Sequence, residues 1–282
     1  MVIDGSLQHG GFVDRLKGIV SFYALARKLG WRFQIHYTQP FSLGDFFQEG
    51  TVKWNCAFIK KTWPAARPIW LFDQSWVDLP RLVKRLDRGG MYHVYSNIDF
   101  VSQVYPDIQK SEYGAFWGSL FRELFVVRGQ VKQELAPVFK PTHRIGFHLR
   151  FTNLLGDFSD TGRVSISTAD QERLMDNCLS AIQLKLNERA ESTPYLFTDS
   201  PRFIRAAQQQ FANLQVIPGM PVHTDLQSPA KGGDNHKKTV LDFLALTGMH
   251  HIYFIKSNVM YNSKFSRYAA WVGGCTWEPV TL

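Results

Sequence analysis

Three short segments of the 282-residue sequence end an apolar run in residues that bind or transfer charged groups. His148 and Arg150 close IGFHLR, Thr198-Asp199-Ser200 follow YLF, and Lys256-Ser257-Asn258 follow IYFI. Each run reads as a buried strand. In open α/β sheets, ligands sit beyond the carboxyl ends of the strands, so three parallel neighbours would bring these residues to one edge. Arg150 is the sharpest of them. Side chains two apart on a strand share a face, which pairs it with His148. A planar guanidinium that keeps its charge at any working pH suits bidentate phosphate binding; it suits a structural ion pair at a strand end equally well.

Positioning those groups requires an alternation of strands and helices, and the periodicity supplies one along the whole chain. Phe12 to Leu29 reads as a helix with Gly30 at its carboxyl cap, followed by a strand from Arg32 to Thr38. A strand at Ile69 to Asp73, a helix at Leu79 to Leu86, a strand at Met91 to Tyr95 and an aromatic helix at Tyr113 to Phe125 complete the first half. The second half repeats the scheme with strands at Arg144 to Arg150, Tyr195 to Thr198, Leu214 to Ile217 and Ile252 to Ile255. Helices are expected at Ala169 to Leu186, Arg202 to Phe211, Lys237 to Leu246 and Phe265 to Val272. Two doubly wound α/β domains, 1–138 and 139–282, account for this order, with the boundary in APVFKPT (Ala136 to Thr142), which carries two prolines.

Composition narrows the function classes. Forty-five per cent apolar and 14% aromatic residues with only 20% charged exclude a disordered chain. Lys and Arg number 32 against 24 acidic residues, a net charge of +8 that asks for an anionic partner: nucleic acid, a membrane surface or a phosphorylated ligand. The cations are scattered, with Lys pairs only at Lys60-Lys61 and Lys237-Lys238, a poor footprint for a nucleic-acid groove. Three separated cysteines form neither a disulfide framework nor a CxxC site. The expected setting is therefore a reducing cytoplasm, with peripheral membrane association left open. His250-His251 are adjacent and lack a third ligand, which argues against zinc. GxSxG, HExxH and P-loop patterns do not occur. Trp54, Trp63, Trp70, Trp76 and Trp117 cluster in the first half, where they can pack a core or present aromatic faces to sugars.

The run HRIGFHLRFTN, 143–153, resembles the first of three motifs shared by the α1,2-, α1,6- and protein O-fucosyltransferases, roughly HxRRxD. His148 and Arg150 match, while Phe151 and Asn153 replace the second arginine and the aspartate. YLFTDS resembles the second motif, a strand ending in Thr-Asp. TVLDFLALTG with the stretch from Ser257 to Gly274 resembles the third. The amino-terminal HGGFVDRLKGIVSFYALARKLG is similar to the loop and first helix of the same superfamily, and Lys53-Trp54 stands where relatives carry Asp-Trp.

The resemblance implies a GT-B glycosyltransferase, with two Rossmann-like domains facing a cleft and the donor held mainly by the second. Such enzymes invert configuration, take fucose from GDP-fucose to a glycan or oligosaccharide acceptor, and need no metal. The absence of DxD agrees with the last point. Carried over residue by residue, Arg150 clamps the β-phosphate, and Ser263, Lys264, Phe265 and Ser266 bind it at a helix amino terminus. His148 and Ser257 line the nucleotide pocket. Asp242 reads guanine, or is a solvated helix residue. Asp199 touches the donor or caps the helix near Pro201. Asp157, with Asp160 as runner-up, is the candidate base, or an ordinary loop carboxylate. Gly10, Gly11, Asp14 and Arg15 lie on the acceptor side, or simply start the first helix. The two departures from the motif leave open another nucleotide sugar, or a non-catalytic module that binds nucleotide sugar or glycan.

Overall fold

Short apolar strands alternate with helices in both halves of the chain, and in each half they build a parallel sheet. The computed structural model describes residues 1–5, 10–56, 66–72, 76–86, 91–158, 165–219 and 234–282, with the side chains of 66, 67, 91, 234 and 235 left aside. Two compact units emerge, Met1–Gly129 and Gln130–Leu282.

The first unit runs β1 (Val2–Asp4), α1 (Phe12–Leu29), β2 (Gln34–His36), β3 (Phe47–Glu49), β4 (Ala66–Leu71), α2 (Leu79–Leu86), β5 (Met91–Ser96), α3 (Val101–Val104), α4 (Tyr113–Leu124) and β6 (Phe125–Val127). Its sheet has the order β2-β1-β5-β4, all parallel, and β3 pairs with β6 separately and antiparallel. Helix α1 ends as its sequence predicts, with Gly30 in the left-handed conformation at φ 67°.

The second unit runs α5 (Gly129–Phe139), β7 (Arg144–Leu149), α6 (Thr168–Glu188), β8 (Thr193–Thr198), α7 (Pro201–Gln210), β9 (Gln215–Val216), α8 (Asp234–Thr247), β10 (His251–Lys256), α9 (Phe265–Gly273) and β11 (Thr276–Thr281). The sheet order is β11-β10-β7-β8-β9, all parallel. The chain winds from β7 outward to β9, then returns to the other side of β7 through β10. This reversal makes β7 and β10 the topological switch point, where the loops leaving the two strands part and open a crevice at their carboxyl ends. Beyond their first residues, β7 and β8 are buried throughout, so they read as continuous apolar runs rather than alternating ones.

The expected boundary at 138/139 falls nine residues later than the observed division at 129/130. Helix α5 belongs to the second unit because its contacts are there: Tyr195 donates to the Val138 carbonyl at 3.2 Å, Arg144 to the Phe139 carbonyl at 3.0 Å, and Lys237 pairs with Glu134 at 2.8 Å. Pro137, read from the sequence as a break, lies inside the helix. Close packing of α9 on α8 also has a sequence cause. A Cβ at Gly273 would stand 2.0 Å from the Thr247 carbonyl oxygen, so only glycine permits that approach.

Candidate functional site at the switch point of the second sheet

Arg150 immediately follows β7. Its side chain is 20% exposed, its Nε lies 3.3 Å from Asp199 Oδ2, and its guanidinium carbon sits 4.8 Å from the centre of the Phe158 ring. Asp199, at the end of β8, is buried. One of its oxygens accepts from the Phe151 N–H at 2.9 Å and the other from the Thr152 N–H at 2.7 Å. Thr152 has φ 54°, a conformation that costs a non-glycine residue about 1 kcal/mol and persists where surrounding bonds hold it. Burial raises the Asp199 pKa, while the Arg150 charge and the two N–H donors oppose that rise. Asp199 thus fixes both the strand exit and the guanidinium.

The cap at α7 is Ser200, whose hydroxyl accepts from the Phe203 N–H at 3.0 Å. Asp157 reaches the same helix end, where its Oδ2 accepts from the Ser200 hydroxyl at 2.8 Å and from the Arg202 N–H at 2.6 Å. Its other oxygen is buried without a hydrogen-bond partner among the described residues. One oxygen of Asp157 is thus held by the positive end of α7. Asp160 lies outside the described residues.

Phe151, in place of the motif's second arginine, is fully buried and packs on Phe203 with ring centres 4.9 Å apart. A charge at that position would enter the core of the second unit rather than the crevice.

Across the switch point stands His148, adjacent to Phe254 of β10 in register. Its ring stacks on Phe254 at 5.3 Å and meets Phe265 at 5.7 Å. Burial, reinforced by the Arg150 charge, pushes its pKa down to about 3, so the imidazole is neutral under ordinary conditions. His148 Nδ1 lies 2.8 Å from the Ser266 hydroxyl, and that hydroxyl accepts from the indole N–H of Trp277 at 3.1 Å. Sequence reasoning placed the Ser266 hydroxyl on a phosphate; the fold turns it inward to these two rings. It missed Trp277, whose only signal is an indole in a strand bordering the site.

Ser263 accepts from the Phe265 N–H at 3.2 Å and so caps the first turn of α9, with Lys264 at the N-cap position. With the Phe265 N–H given to Ser263 and the Tyr268 N–H to the Lys264 carbonyl, the first-turn N–H groups that a helix start can offer an anion here are those of Ser266 and Arg267. The Ser257 hydroxyl is buried and has no hydrogen-bond partner among the described residues.

Asp242 on α8 is neither solvated nor open. Lys238, one turn earlier, contacts its two oxygens at 2.8 and 2.9 Å and donates to the Ile217 carbonyl at 3.0 Å. Burial raises the Asp242 pKa to about 6 despite the lysine. A raised carboxylate pKa means that the folded state binds more protons than the unfolded one between about pH 4 and 6, so this group's contribution to stability falls as pH rises through that window. Lys238→Met should therefore destabilise the second unit by about 3 kcal/mol at neutral pH, and by less near pH 5, where the orphaned carboxyl is protonated. Urea unfolding at the two pH values measures the difference.

In the first unit, Gly10 has φ 83°, and a Cβ there would stand 3.1 Å from the Asp14 Cβ. Gly11 occupies the N-cap position of α1. Asp14 pairs with Lys17. Arg15 is 1% exposed; it donates to the Gly10 carbonyl at 3.1 Å and to the Gln39 carbonyl, and lies over the Tyr37 ring at 5.3 Å. Its buried guanidinium braces two loops from within. Lys53 pairs with Glu49 at 3.4 Å. Trp54 and Trp117 are core residues, Trp70 and Trp76 are exposed, and Trp63 lies outside the described residues. Trp70 stacks face to face on Tyr95 at 4.2 Å.

Two parallel-sheet α/β units make up the chain, and in the second Arg150, His148 and Ser266 of α9 stand near the carboxyl end of β7, beside the switch point where open α/β sheets hold their ligands. No protein-family model and no curated protein matches the sequence. Solved structures do. An arginine-to-lysine mutant of Arabidopsis thaliana FUT1 in complex with GDP superposes with a TM-score of 0.63 at 12% identity, over 100% of this chain and 69% of that one. NodZ α-1,6-fucosyltransferase soaked with GDP-fucose gives 0.57 at 14% identity, over 96% and 92%. Fucosyltransferase NodZ from Bradyrhizobium gives 0.55 at 15%, over 95% and 91%. The chain has the fold of these fucosyltransferases, the superfamily whose motifs its sequence resembles. Among the described residues, no helix is long and apolar enough to cross a membrane.

Proposed function

We propose that the protein is an inverting glycosyltransferase that moves fucose from GDP-fucose to a glycan acceptor without a metal ion. The observation that carries this reading is the placement of Arg150. A guanidinium held by Asp199 stands at the end of the central strand, two residues after the His148 that meets Ser266 of α9, in a fold shared with proteins solved with GDP and GDP-fucose.

Chemistry assigns the roles. The acceptor oxygen bonds to the anomeric carbon as the bond from that carbon to the β-phosphate oxygen breaks, and the electron pair leaves with GDP. The growing negative charge needs fixed positive partners. Arg150 supplies a charged fork, and the first-turn N–H groups of α9 with the Ser263 hydroxyl supply dipoles. Because attack with inversion comes from the face opposite the departing phosphate, the acceptor hydroxyl gives its proton to a base on that face, the role the resemblance offers Asp157. Asp242 reads the base only if Lys238 yields one carboxylate oxygen to it.

A thermal-shift panel of GDP, UDP, CDP and ADP tests the donor. A ligand at 100 times its dissociation constant adds about 2.7 kcal/mol of stability, and only GDP should do so. A shift with another nucleotide and none with GDP would contradict the fucosyl assignment. Transfer from GDP-fucose to a glycan array in the presence of EDTA separates an enzyme from a binding module.

A further inference from the structure

Resting on the reading of this crevice as a nucleotide site, we propose that Trp277 and Ser266 are positioning residues that lock His148 in its Nε2–H tautomer, so that it offers one fixed, neutral hydrogen-bond donor to an oxygen of the bound nucleotide.

Proton counting fixes the tautomer. The indole Nε1 of Trp277 is a donor only, and it donates to Ser266 Oγ at 3.1 Å. Ser266 is fully buried, and the other polar atom beside its hydroxyl among the described residues is His148 Nδ1, at 2.8 Å. A buried hydroxyl proton left without an acceptor costs about 1–3 kcal/mol. The Ser266 proton therefore goes to His148 Nδ1, which must be the bare nitrogen. The ring proton is then on Nε2, the far side of the imidazole. Phe254 and Phe265 hold the ring plane, and the neighbouring Arg150 charge together with burial disfavours a second proton. A merely packed histidine could take either tautomer; this one has its Nδ1 side filled by a hydroxyl whose direction is set from β11. The arrangement also explains why a serine in the first turn of α9 faces inward instead of toward an anion.

Long-range proton–nitrogen correlation spectra of the ligand-free full chain test the tautomer, with His148→Gln identifying the signals. The expected pattern is a pyridine-type Nδ1 and a pyrrole-type Nε2 throughout pH 5 to 8, values chosen around the ordinary histidine pKa of about 6.5. A pyrrole-type Nδ1, or a mixture, overturns the proposal whether or not GDP is the donor. Ser266→Ala should give mixed tautomers and weaken GDP about tenfold, with Ser266→Thr restoring both; Trp277→Phe should loosen the tautomer with the serine still in place. An Ser266→Ala protein that keeps a single Nε2–H signal would also overturn it.

Discussion

Arg150→Lys is expected to cut kcat/KM for transfer from GDP-fucose by about 10²- to 10³-fold, the range for loss of one preorganised donor to a developing oxyanion. Charge survives this substitution, but the planar fork does not, and neither does the stack on Phe158. The far-UV spectrum and thermal midpoint should stay close to wild type, because the side chain is partly exposed and a lysine can still meet Asp199. Steady-state kinetics beside a melting curve separate the outcomes. Near-normal turnover would remove Arg150 from the reaction and return it to the structural ion pair that its sequence position equally allowed.

Asp199→Ala should be the most damaging single change to the fold around the site. Two backbone N–H groups, those of Phe151 and Thr152, lose their acceptor, and Arg150 loses its anchor. Orphaned donors cost about 1–3 kcal/mol each, so a loss of about 3 kcal/mol is expected, equivalent to roughly 10 °C in the midpoint of a domain of this size. Turnover should fall as well, since the guanidinium is no longer aimed. Asp199→Asn, which keeps one acceptor oxygen, should cost less on both measures. Chemical denaturation and kinetics on the two variants check the order; equal stability of Asp199→Ala and wild type would refute the clamp.

The contrast between Asp157 and Asp199 shows where sequence reading stops. Both carboxylates stand out in the sequence, and both do matter, but their partners lie 43 to 48 residues away across β7 and β8. Spacing along the chain cannot say which carboxylate turns toward α7 and which toward Arg150. Strand β7 was legible because its apolar run ends in a charged residue, and α1 because its period and Gly30 agree. Strand β11 was not, since TWEPVT carries Pro279 and is half-exposed at a sheet edge, where proline is tolerated. With β11 went Trp277, and with Trp277 the reason that Ser266 points inward. Helix α5 was hidden by Pro137, and the domain boundary moved with it. The topological switch between β7 and β10, which gives these strand ends their meaning, is a property of sheet order, not of any local pattern.

Calorimetric titration of GDP into the wild-type protein and into Arg150→Lys, side by side, decides whether the donor site is built on Arg150. One GDP should bind per wild-type chain, and binding should weaken at least about tenfold in the variant, as expected when a charge-assisted bidentate contact is lost. Equal GDP affinity in the two proteins, or no GDP binding by a correctly folded wild-type chain, would contradict a donor site built on Arg150.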